Sequence, residues 1–133
     1  MKPPKILLEP WQRQVLYLAT ALLWLSGAFW LYLSMDDPSR PLWMKIHGAA
    51  AMVFLMLFGM MFVRHVPSGW QQKPQRPSGV SIITVCGVLI LTGWGLYYLG
   101  ADDLRHWTSL LHWGLGLLFP AILSLHIWLG RRP

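Results

Sequence analysis

Acidic side chains are scarce in this sequence. Five Asp and Glu stand among 133 residues, and none falls inside the four long uncharged stretches described below. A proton relay built from acids and histidines within the membrane therefore lacks half its parts. Charge of either sign is thin, at 12% of residues, about half the fraction usual in a soluble domain. Cysteine is nearly absent. Cys86 stands alone, so no disulfide forms within the chain. Its place in an apolar run marks it as a small buried hydrophobe rather than a reactive thiol. There is no Cys-x-x-Cys-His for covalent c-type attachment, and no nucleotide-binding loop, zinc spacing or catalytic triad pattern.

Apolar sequence fills the space. The chain is 55% hydrophobic with a mean hydropathy of +0.44, and its length suits one domain. Four uncharged stretches are long enough to cross a bilayer core of about 30 Å. They are residues 14–35, 46–63, 77–101 (with 79–99 as the helix) and 106–130. Over such lengths in lipid only a helix closes its own backbone hydrogen bonds. The expected fold is all-α: an integral-membrane, up-down four-helix bundle forming a single domain over residues 1–133. The longest connection, 66–78, holds Pro67, Pro74, Pro77 and Gly69 and reads as a loop. Ser26-Gly27-Ala28 has the small residues of a signal-peptidase site, but the apolar run continues through Phe29-Trp30-Leu31-Tyr32-Leu33. The first span is therefore read as retained.

The net charge of +6 does not point to nucleic acid, because the cations lie between the apolar runs, where they orient a membrane protein. Lys2, Lys5, Arg13, Arg64, Lys73, Arg76, Arg131 and Arg132 fall on one side. Arg40, Lys45 and Arg105 fall on the other, with Asp36, Asp37, Asp102 and Asp103. Eight against three puts both termini in the cytoplasm. Trp11, Trp43, Trp70 and Trp107 sit near span ends, as an interfacial aromatic belt requires.

Against this background the histidines stand out. His47 and His65 are eighteen residues apart in the second span, and His112 and His126 fourteen apart in the fourth. At about 100° per residue the first pair returns to the same helix face, and the second falls about 40° short of it. Both spans run from outside to inside. His47 and His112 then lie near the outer surface, and His65 and His126 near the inner one. The rise along each helix is about 27 Å for the first pair and about 21 Å for the second; tilt, or a bend at Pro120, is needed to reconcile them. Four intramembrane histidines on matching faces suit two planar cofactors held by paired imidazoles, and haem b is the usual occupant of such a site. The bland alternative is interhelical hydrogen bonding. His106, about 200° around the helix from His126, is read as interfacial and solvated, with outer haem ligand or proton carrier as its alternatives.

Other residues fit around these. Gly48, Gly114 and Gly116, with Gly79, Gly87, Gly93 and Gly95 in span three, would give a flat cofactor clearance, or serve ordinary small-residue packing. Lys45 and Arg105 outside, and Arg64 and Arg131 inside, are candidates to hold cofactor carboxylates. Each reads equally well as a snorkelling topology signal. The Met52, Met56 and Met60 stripe is read as core or lipid-facing packing.

The segments Ile46-His47-Gly48-Ala49-Ala50-Ala51, His65-Val66, Ser78-Gly79-Val80, Leu91-Thr92-Gly93, Leu111-His112-Trp113 and Leu125-His126-Ile127 resemble small four-helix bacterial dihaem cytochromes b. Among these, the flavinylation-associated cytochrome family, once classed as a domain of unknown function, is the nearest group. The b-type subunits of hydrogenases and formate dehydrogenases are similar in logic. The resemblance covers spans two to four. It implies two b haems, with His47, His65, His112 and His126 at the matching positions. It also implies electron transfer across the bacterial inner membrane, between a quinone pool or cytoplasmic-side partner and an extracytoplasmic cytochrome or dehydrogenase. Such a chain is an electron-transfer subunit of a larger complex rather than a stand-alone enzyme, with quinone a further candidate ligand and membrane lipid its surroundings. The competing readings are a cofactor-free transport or proton-relay protein and a structural or assembly subunit.

Overall fold

Helix boundaries follow from proline, capping groups and the short polar connections. In a computed structural model, residues 8–131 are described. Four α-helices run over Pro10–Tyr32 (α1), Arg40–Gln71 (α2), Arg76–Tyr98 (α3) and Asp102–Arg131 (α4), with a 3-10 turn at Lys73–Gln75 between α2 and α3. Among the described residues there is no strand. All four helices are long and apolar enough to cross a membrane, and Cys86 is buried, as its context predicts.

The start of α1 is a capping box. The Glu9 side chain accepts from the backbone of Gln12, and Gln12 Oε1 accepts the Glu9 N–H at 3.1 Å. Pro10 occupies the first turn, where its missing N–H costs nothing. The chain leaves α1 through an extended Leu33. Asp37 then shapes the connection by accepting from Ser39 N at 2.8 Å and Ser39 Oγ at 2.6 Å. These bonds, the side-chain one foremost, hold the Asp37 carboxyl below its ordinary pKa. Arg40 closes the turn. Its guanidinium lies 4.1 Å over the Trp30 ring, its Nε donates to Trp30 O at 3.3 Å, and it contacts the Met35 sulfur. A carbonyl in the last turn of α1 thus gains a donor it would otherwise lack.

The expected loop over 66–78 is mostly helix. α2 continues through Pro67 to Gln71 and ends with Gln72 N bonded to Gly69 O at 3.1 Å. Proline removes one amide donor, the one that would reach Val63 O, while the later residues keep theirs. One missing bond bends a helix more readily than it ends one, and the sequence reading gave Pro67 too much weight. Pro120 is likewise inside α4, which runs on without interruption. α1 starts four residues before the expected span and ends three before it does.

The chain divides into two units, one ending at Lys73 and the other beginning at Pro74. In the first, α1 packs along α2; in the second, α3 packs along α4. Each unit is an antiparallel helical hairpin. In the first, Phe29 stacks on Trp43 near the turn, with ring centroids 4.7 Å apart. At the open end Leu8, Glu9 and Gln12 lie beside Met61, Arg64 and His65. In the second, Gly95 of α3 faces Thr108 of α4 near the turn, where an added Cβ would make an ordinary contact at 3.7 Å from Thr108 Cγ2. At the open end Gln75 Nε2 donates to Leu129 O at 3.1 Å. Leu129 lies in the last turn of α4, where carbonyls lack an intrahelical donor, and the glutamine side chain supplies one. In both hairpins two aspartates lie at the turn, beside Arg40 in the first and Arg105 in the second, and two arginines mark the open end, joined in the first by Glu9. Asp36 and Asp37 oppose Arg13 and Arg64, while Asp102 and Asp103 oppose Arg76 and Arg131.

Two outcomes follow. Cysteines scanned through residues 66–71 in a Cys86→Ala background should react with a water-soluble maleimide at rates that oscillate with a helical period; uniformly fast labelling would restore the loop. Asp37 carries a lowered folded pKa, so its contribution to the turn is present above the ordinary carboxyl pKa and fades as pH falls through the lowered value. The Asp37→Asn variant should therefore unfold with a weaker acid dependence than wild type, and an unchanged pH profile would show the carboxylate to be idle.

Candidate functional site

All four histidines of the expected ligand set face the partner helix of their own hairpin. On α2, His47 meets α1 near the turn and His65 meets it near the open end. On α4, His112 meets α3 toward the turn and His126 meets it near the open end. The same-face phase read from spacings of eighteen and fourteen therefore holds within each hairpin. Each hairpin offers one imidazole high and one low.

Three of these imidazoles are anchored through Nδ1. His47 Nδ1 lies 3.0 Å from Leu23 O and 3.1 Å from Ser26 Oγ. A carbonyl oxygen only accepts, so Nδ1 carries the proton. Ser26 spends its own hydrogen on Leu22 O, at 2.5 Å. Thr92 Oγ1 donates to Val88 O at 2.7 Å, which leaves its oxygen to accept from His112 Nδ1 at 2.9 Å. Ser78 Oγ donates to Gln75 O at 3.1 Å and accepts from His126 Nδ1 at 3.2 Å. In a neutral imidazole, a proton on Nδ1 puts the lone pair on Nε2. The Leu23 carbonyl fixes at His47 the tautomer that binds a metal through Nε2; the hydroxyl partners of His112 and His126 fit the same tautomer, with each hydroxyl hydrogen kept on its own helix.

Glycine makes the close approach possible. A Cβ at Gly27 would sit 3.3 Å from His47 Cε1, and one at Gly93 would sit 3.2 Å from His112 Cε1. Span three's Gly93 therefore clears room for an imidazole, where the sequence suggested room for the cofactor itself. Gly79, Gly87 and Gly114 meet nothing within 4 Å. Ser26 and Gly27 were passed over as a rejected cleavage site in a span without an evident motif. They are instead the cradle of His47, and Ser26 is 1% exposed. The signal was in the sequence: a hydroxyl residue followed by glycine occurs at Ser26-Gly27, Ser78-Gly79 and Thr92-Gly93 on the two histidine-free helices.

His65 sits in a different setting. With Arg64 and Met60 it lines a cavity of about 90 Å³ whose α1 wall includes Glu9 and Gln12. Glu9 is a residue the sequence reading gave no role. His106 is exposed in the second turn of α4, its ring edge-on to Trp107 at 5.8 Å, as its interfacial reading predicts. Lys45, Arg64, Arg105 and Arg131 are all exposed. Among the described residues no three His, Cys, Asp or Glu gather to hold a bare metal ion.

No protein-family model, curated protein or solved structure matches the chain.

The glycine contacts give a direct check. Gly27→Ala and Gly93→Ala should each lower thermal stability, because the added methyl must push a hydrogen-bonded ring back by a few tenths of an ångström. Full loss of such a bond in a membrane protein costs about 1 kcal/mol, which bounds the effect. Gly79→Ala, with open space at its Cβ, should be neutral or slightly stabilising. Equal melting temperatures for all three variants would contradict the cradle.

Proposed function

We propose that this chain is a dihaem b-type membrane cytochrome, the electron-carrying subunit of a larger redox complex. His47, His65, His112 and His126 are its axial ligands. The observation that carries the reading is the Nδ1 anchoring of three imidazoles on the inward faces of α2 and α4. Interhelical packing alone would use the same Nδ1–H bond; a metal ligand uses in addition the Nε2 lone pair that this tautomer leaves. The scarcity of acids within the helices supports the same choice over a proton relay.

When bound, each b haem supplies a one-electron couple. The protein's part is to fix the imidazoles, exclude water from the spans and orient the whole. The exposed Lys45, Arg64, Arg105 and Arg131 stand where cofactor carboxylates or lipid headgroups need cations. The cation count favours an up-down bundle with both termini on the cytoplasmic side of a bacterial inner membrane. His47 and His112 then form the outer ligand pair, and His65 and His126 the inner pair. Electrons would pass between a quinone pool or a cytoplasmic-side donor and an extracytoplasmic cytochrome or dehydrogenase.

Protein purified after expression with ample haem should give a b-type reduced-minus-oxidised spectrum and two haems per chain by pyridine haemochrome. Alanine at His47, His65, His112 or His126 should cost one haem each, while His106→Ala keeps both. Colourless wild-type protein would end the proposal. Haem loss in His106→Ala with retention in His112→Ala would move the outer ligand to His106.

A further inference from the structure

We infer that Ser26, Thr92 and Ser78 are positioning residues: they hold His47, His112 and His126 in the metal-binding tautomer before any metal arrives, with Gly27 and Gly93 making room for the first two rings. This rests on the haem reading above and extends it to residues outside the ligand set.

Three features of the contacts support the assignment. Each hydroxyl sends its own hydrogen to a carbonyl of its own helix segment, so the bond between helices is donated by the histidine. The direction of that bond decides which ring nitrogen is protonated. Secondly, on α1 and α3 the element is selective. Ser81 and Thr108 also bond back to their own helices, to Pro77 O and Leu104 O, and neither has glycine after it. The hydroxyl–glycine pairs of α1 and α3 are the ones found at imidazoles. Thirdly, two of the glycines lie so close to the ring that a methyl would push it, at 3.3 Å from His47 and 3.2 Å from His112.

The consequence is electronic as well as geometric. An Nδ1–H that donates to an oxygen makes Nε2 a stronger donor to the metal. A stronger donor favours ferric over ferrous iron and lowers the reduction potential. His47 also has the Leu23 carbonyl, which no side-chain substitution removes, so Ser26→Ala should have the smallest effect. Thr92 Oγ1 is a side-chain oxygen at His112 Nδ1, which substitution can remove, and this makes Thr92 the informative position.

Thr92→Val keeps the volume and deletes the acceptor; Thr92→Ser keeps the acceptor. In detergent-solubilised full-length protein, Thr92→Val should weaken haem retention about 10–100-fold and raise the midpoint potential of one haem, with the other unchanged. Thr92→Ser should restore both values. The ¹⁵N shifts of selectively labelled imidazoles in haem-depleted protein should show His112 as Nδ1–H in wild type and a mixture of tautomers in Thr92→Val. Lower thermal stability with wild-type potential and tautomer would reduce Thr92 to packing and overturn the inference while leaving the haem reading intact. Wild-type protein that takes up no haem would overturn the haem reading and the positioning role with it.

Discussion

A histidine inside an apolar helix hairpin has two ring nitrogens that need partners, and at three of the four the neighbouring helix supplies the partner of Nδ1. The Nδ1–H is given to an oxygen on the neighbouring helix at His47, His112 and His126. In an environment without water an unmet donor costs several kcal/mol, so the bond holds the helix pair in register as well as the ring. Much else depends on it. The hydroxyl must sit at the level of the histidine, and its own hydrogen must be spent on its own helix. At His47 and His112 the next residue must also be glycine, or the ring could not lie so close.

The same constraint explains why the two hairpins look alike. Each has one helix that carries histidines and one that carries their supports. Each has two aspartates at its turn. The acids at the start of α4 also suit the positive end of the helix dipole. The first hairpin departs from the pattern at its open end, where α1 begins at Pro10 and has no hydroxyl to set beside His65. Glu9 and Gln12 line that cavity instead, tied to each other by the capping box.

Much of this was legible in the sequence, for physical reasons. Length without charge dictates helices in lipid, and a period of 3.6 residues puts His47 with His65, and His112 with His126, on single faces. The burial of Cys86 and the exposure of His106 followed from their neighbours. The supports were harder to see. A serine at position 26 looks the same in sequence whether it caps, packs or orients a ring, and only the register of α1 against α2 brings it to His47. Gly93 was singled out, but the atom it accommodates belongs to His112, a contact that depends on helix packing. Pro67 misled because proline ends helices in water more readily than it ends a long apolar helix with neighbours to support it.

The central claim is that these imidazoles bind metal through Nε2 in pairs. Low-temperature electron paramagnetic resonance with near-infrared magnetic circular dichroism on the oxidised, purified protein reads this directly. Two low-spin ferric centres with the charge-transfer band of bis-imidazole ligation are expected. High-spin iron, a methionine-type band near neither histidine set, or no haem signal at all would contradict it.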